Sequence, residues 1–166
     1  MRPMLPTPTD HDLPLTAPDH PALALLPDAP TEQDIERFAD LLLRLEGEHG
    51  MVDLSTREHL SGDVYGRSVV IAAGTFLVGA PHLAPGLAVC VGDITVWHAG
   101  ARQRLTGAHI LATNPGGYRV GFAHSDTTWL TVHARPAGAE TSEQIEDAMV
   151  AGADRLMTRR AAQGVH

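Results

Sequence analysis

Between Gly62 and His133 the chain reads as a succession of short extended segments. In order they are VYGRSVVIAAG, TFLVGA, LAVCVGDITVWH, RQRLT, HILATN, YRVGFA and TWLTVHA, with Gly and Pro at the joins. Several short strands at regular spacing, separated by turn residues, predict a sandwich or a closed barrel. Two turns inside this run carry chemistry nearby. His82 follows an A-G-T-x-L-x-G turn, and Pro115-Gly116-Gly117 leads on to Arg119, Asp126 and His133. A barrel with His and Arg at its mouth is a place to hold a metal or a small ligand.

The rest of the chain is read as appendages to that barrel. At 166 residues it suffices for one domain with a real core. No apolar run approaches the roughly 20 residues of a membrane span. Met1-Arg2-Pro3 is followed by prolines and aspartates, not by the apolar stretch of a signal peptide, so a soluble, non-exported protein is expected. The single cysteine, Cys90, rules out an internal disulfide, and its LAVCV setting predicts a buried, inert thiol. All 12 basic residues are arginine. Val64–Pro136 carries a net charge of +3 and the flanks −11. Phosphate binding needs concentrated cations, so acidic flanks argue against nucleic acid as a partner.

Residues 1–30 hold eight of the 12 prolines, which predicts an extended arm that is neither helix nor central strand. Leu13, Leu15, Leu23, Leu25 and Leu26 would be anchors if the arm lies along a neighbouring subunit. Residues 31–61 should form a helix and a link. Thr31 and Asp34 resemble a capping box, Ile35, Phe38, Leu42 and Leu45 recur at helical spacing, and Gly47 and Gly50 are stop signals. Residues 62–136 are the barrel. Residues 137–166 should end in a helix that opens on a Thr141–Gln144 capping box, with Ile145, Met149, Gly152 and Leu156 as its stripe and Arg155, Arg159 and Arg160 near its end. Homo-oligomerisation through the arm and helices is the expected use of these flanks.

Five of the ten histidines, His82, His98, His109, His124 and His133, fall in the barrel region. A metal centre needs three or four converging ligands, and no H-x-H or H-x-x-x-H pair supplies two from one element. Any cluster must come from separate strands. In TWLTVHA, Leu130 and Val132 should face the hydrophobic core, while Trp129, Thr131 and His133 face a polar lumen or solvent. Arg119 would pair with Asp126 or hold an anionic ligand. No Ser or Cys sits in a nucleophile elbow, and Asp126 is the sole acid between Asp93 and Pro136, so paired-carboxylate chemistry lacks partners.

The stretches HLSGDVYGRSVVIAAGTFLVGAPH, from His59 to His82, and NPGGYRVGFAHSDTTWLTVH, from Asn114 to His133, resemble the small cupin proteins of tailed bacteriophages and prophages. The resemblance covers about 75 residues and implies a mainly β, double-stranded β-helix (jelly-roll) barrel. Cupin enzymes usually carry two histidines and a glutamate in a first motif and a third histidine in a second. Here Ala80 stands at the first histidine's place, His82 at the second's, and Pro85, Gly86 and Leu87 near the glutamate's. In the second motif Pro115 and Gly117 match, while Val120 replaces the histidine. His124 or His133 could complete a site with His82 for zinc, iron, manganese or nickel.

Three functions follow. The favoured one is a non-catalytic structural or interaction protein with no cofactor. It would be a phage virion component, capsid-decorating or tail-associated, located in the virion or the host cytoplasm, and would contact copies of itself or other virion proteins through the N-terminal arm and helices, with no nucleic-acid or membrane partner. The second is a metal-dependent cupin enzyme of isomerase or dioxygenase type on a small polar substrate. The third is a metal-free binder with Tyr65, Arg119 and Trp129 around a sugar or carboxylate.

Overall fold

A computed structural model describes residues 20–49, 52 and 54–156. Seven strands form one curled antiparallel sheet: β1 (Thr56–Ser61), β2 (Val64–Ile71), β3 (Phe76–Gly79), β4 (Gly86–His98), β5 (Ala101–Thr113), β6 (Arg119–Ala123) and β7 (Thr127–Ala134). Their order is β1-β2-β7-β4-β6-β3, with β5 on the opposite edge of β4. The helices are α1 (Glu32–His49) and α2 (Ser142–Met149). The architecture is the expected mainly β, barrel-like fold with two flanking helices, its sheet curled into a half-barrel.

The curl originates in β4. Leu87–Val91 pairs with β7, and Ile94–His98 pairs with β6. Between them Gly92 has φ 149° and pairs with Gly107 of β5, whose φ is 87°. A Cβ on Gly92 would lie 2.4 Å from Thr127 Oγ1 and 2.8 Å from Thr127 Cα. Only glycine allows the strand to turn this corner against Thr127. RQRLT and HILATN are accordingly one 13-residue strand bent at Gly107, not two.

Strand alternation divides the side chains into a lumen and two outer faces. The lumen holds Ile71, Cys90, Ile94, Val96, Leu105 and Ala123, with Trp129 packed on them. On the outer face of the β3-β6-β4 half, Trp97, Val120 and Phe122 pack with Ile35 and Phe38 of α1 and with Leu23 and Leu26. The outer face of the β2-β7-β4-β5 half has no such cover among the described residues. Its registered rows run Val70–Thr128–Val91–Ala108, Ser68–Leu130–Val89–Ile110 and Gly66–Val132–Leu87–Ala112. Leu130 and Val132 therefore face outward. The expectation that they point into the core is corrected: the lumen takes the Thr127, Trp129, Thr131 and His133 side of β7, and the more apolar side faces out.

The flanks depart from expectation in three places. The end of the arm is not extended throughout. Pro21–Leu25 forms a 3₁₀ turn, and Leu23, Leu26 and Pro30 are buried against the chain's own barrel. Pro21 opens that turn, where its missing N–H costs nothing. Leu13 and Leu15 lie outside the described residues. Gly47 does not stop α1, which continues to His49; Gly50 is outside the described residues. Asp34 does cap α1, accepting from Thr31 N at 2.9 Å while Thr31 Oγ1 accepts from Asp34 N at 3.1 Å. α2 has the expected capping box but ends at Met149, because Val150 turns extended and bridges to His82. Arg159 and Arg160 are outside the described residues, and Arg155 donates to Asp40 of α1 at 2.6 Å.

Candidate functional site

Two strand ends bring the central pair together. His133 sits near the end of β7, opposite Tyr65 of β2. His82 follows β3 and is clipped to the segment after α2. Leu83 N donates to Met149 O at 2.7 Å, and Ala151 N donates to Pro81 O at 2.9 Å. The two imidazoles stack with centroids 4.6 Å apart and planes 23° apart. Gly86 makes room for them: a Cβ there would lie 2.4 Å from His133 Nδ1.

The electrostatics keep both rings neutral near pH 7. Burial, then the His133 and Arg119 charges, push His82 down to about 4. Burial also lowers His133, partly offset by its bond to Pro85 O. That 3.3 Å bond assigns the His133 proton to Nδ1, which donates, and leaves Nε2 as an acceptor. His133 Nε2, His82 Nδ1 and Thr113 Oγ1 are buried without a hydrogen-bond partner among the described residues, as is Trp97 Nε1 under α1.

The first three of these atoms border two adjoining cavities. The larger, of about 280 Å³, is lined by His82, His133, Tyr65, Arg67, Tyr118 and Trp129 among others. The smaller, of about 60 Å³, runs into the lumen between His82, Thr113, Asn114, Arg119, Trp129 and Thr131. α2 borders the larger one. Arg67 Nη1 donates to Glu146 Oε1 at 2.6 Å, with Glu146 only 8% and Arg67 21% exposed in their side chains. Tyr65 O–H donates to Glu58 Oε1 at 3.0 Å, and Glu58 also accepts from Ser142 Oγ. Burial and that carboxylate raise the Tyr65 pKa.

The predicted residues thus separate. His82, His133, Arg119 and Trp129 share the cavity walls, whereas the Tyr65 hydroxyl is committed to Glu58. Arg119 is half-buried and donates to Ala112 O at 3.3 Å, and Asp126 accepts instead from Ala73 N at 3.0 Å. The expected Arg119–Asp126 pair is not formed. His124 lies elsewhere: it shares a 2.8 Å hydrogen bond with Thr95 and packs edge-on to Phe122. It is two residues from outward-facing Phe122, so alternation places it on the outer face. His98 and His109 line neither cavity. Cys90 is fully buried, and burial raises its pKa.

Sequence reading missed the Arg67–Glu146 pair and Thr113. Glu146 had a signal: it lies beside Ile145 and three residues before Met149, on the helix's apolar face. Thr113 had none.

A cupin-type metal centre does not fit these residues. Two imidazoles are fewer than the three or four donors such an ion takes. Among the described residues no group of three His, Cys, Asp or Glu converges.

No protein-family model and no curated protein matches the chain. Solved structures similar to it include a cupin superfamily protein from Desulfitobacterium hafniense, with TM-score 0.44 and 13% identity over 66% of this chain and 96% of that one. Ectoine synthase from P. lautus has TM-score 0.43 and 18% identity over 50% of this chain and 67% of that one. KdgF from Halomonas sp. has TM-score 0.42 and 16% identity over 52% of this chain and 88% of that one. These are likenesses of chain path and say nothing of what this barrel holds.

Proposed function

We propose that the chain binds a small anionic molecule inside the barrel. The observation that carries this reading is three buried polar atoms without partners among the described residues, His82 Nδ1, His133 Nε2 and Thr113 Oγ1, bordering two adjoining cavities, the smaller of which Arg119 lines. A buried polar group without a partner costs about 1–3 kcal/mol. A ligand with hydroxyl or amide groups would supply the missing bonds. Arg119 is the cation of the smaller cavity, and its fork suits a carboxylate or phosphate. The neutral imidazoles add donor and acceptor sites without adding charge.

The test is native mass spectrometry of the purified full chain. It is followed by thermal shift with succinate, citrate, glucose 6-phosphate and inorganic phosphate. A co-purified small molecule, or a saturable rise in Tm with one probe that Arg119→Leu abolishes, is the expected result. A bare protein mass with no saturable shift would sink the reading and leave cavities that hold water.

A second reading, an architectural subunit such as a capsid-decorating or tail-associated virion component, is favoured by one different observation: the apolar face of β2-β7-β4-β5, which no described residue covers. That reading predicts co-sedimentation of the chain with particles, and its absence from purified virions would remove it.

A further inference from the structure

The bare outer face is too apolar and too regular to be ordinary surface. Isolated exposed apolar residues need no explanation, but a contiguous patch does. Here Leu87, Val91 and Ile110 are 48%, 51% and 73% exposed, and Val89, Leu130 and Val132 fill the space between them. The four central strands contribute three outward residues each, and none of the 12 is charged. On its far side β5 pairs with no strand among the described residues, so the patch ends in an open sheet edge.

We infer that this face is met by the same face of a second copy, making a two-fold symmetric sheet-on-sheet dimer. Three observations select a second copy over another partner. The chain carries a net charge of −8, and its acids concentrate on α1 and α2, which pack elsewhere. Two such chains repel least when they meet through the uncharged sheet. Conversely, a partner chosen by charge would find Arg57 of β1 at the rim beside Ser68, but no charge among the 12 residues of the patch.

Across the four strands the row Ser68–Leu130–Val89–Ile110 begins with a small side chain next to β1 and ends with a projecting one at the open edge of β5. A two-fold axis parallel to the strands lays β5 of each copy over β2 of the other, so that Ile110 seats against Ser68. The size also suits. Four strands at about 4.8 Å spacing and about seven residues at 3.4 Å give a flat footprint of roughly 450 Å². Side-chain relief brings the accessible area to about 600 Å² per partner, the low end of specific interfaces.

The experiment is sedimentation velocity of the full chain from 0.5 to 100 µM, with Val91→Glu, Ile110→Asp and, as a charge control away from the face, Leu25→Glu. Far-UV circular dichroism and thermal unfolding verify that each variant folds. The expected result is a dimer for wild type and Leu25→Glu, with dissociation constants about 100-fold higher for the two face variants, since each symmetric dimer then buries two unpaired charges. Should a face variant fail to fold, Ser68→Cys combined with Ile110→Cys replaces it: a short bismaleimide that spans the roughly 10 Å between packed sheets should give a covalent dimer, because native Cys90 is buried. A monomer at 100 µM overturns the inference. So does a monomer whose β4 amides exchange slowly, which would assign the cover to residues 1–19 of the same chain. A dimer indifferent to both charges and resistant to cross-linking overturns it as well, because the contact then lies elsewhere.

Discussion

The two outer faces of this barrel come from the same strand and end differently. Along β4, Trp97 lies under α1 and is fully buried, while Val91, six residues earlier, is 51% exposed. Both halves are apolar and both alternate. What separates them is the chain before the barrel: Leu23, Leu26, Ile35 and Phe38 fold back onto one half only. Burial is therefore decided by where the flank reaches, not by how hydrophobic the strand is.

The strongest way to break that contrast is to truncate side chains on each face. Trp97→Ala and Phe122→Ala should each cost about 3–5 kcal/mol in urea denaturation. Leu87→Ala, measured at 0.5 µM protein to keep association out of the reading, should cost under about 1 kcal/mol. Equal costs would mean that the second face is covered after all.

Next in size is the mouth. Glu146→Ala removes the 2.6 Å ion pair to Arg67 in a mostly buried position and should cost about 2–3 kcal/mol, below the fully buried range because Arg67 keeps some exposure. Urea denaturation is again the measurement. A loss near zero would show that Ile145 and Met149 hold α2 in place through apolar contact alone.

The smallest effect belongs to the lumen. His82 has its pKa pushed down to about 4 from the ordinary 6.5, so between those values the unfolded chain binds more protons than the folded one. Stability is then flat above pH 6.5 and falls as the pH drops towards 4. The expected loss is on the order of 1–2 kcal/mol, discounted because the ring is partly exposed. His82→Gln should make that slope shallower, with the rest due to His133. An unchanged slope would place the titration outside the lumen.

Sequence periodicity was informative where the physics is local. The strand run, both capping boxes and the burial of Cys90 follow from neighbours a few residues apart. TWLTVHA correctly groups Trp129, Thr131 and His133 on one side. Alternation separates the two sides of a strand but cannot say which is the interior, and in β7 the more apolar side faces outward, so the reading of Leu130 and Val132 as core fails. The site was harder still. His82 and His133 are 51 positions apart and meet only through the β2–β7 register and the clip between Pro81–Leu83 and Met149–Ala151. Arg67 and Glu146 are 79 apart and depend on where α2 lands. His124 is different: counting two from Phe122 would have excluded it.

Because one unbroken β4 borders β5, β6 and β7 together, the domain has no seam at Gly92. Loosening either half frays the strand on which the other is built, so both should melt in a single cooperative step. A permutation or insertion that parts the backbone at this hinge would be expected to yield no autonomous fragment.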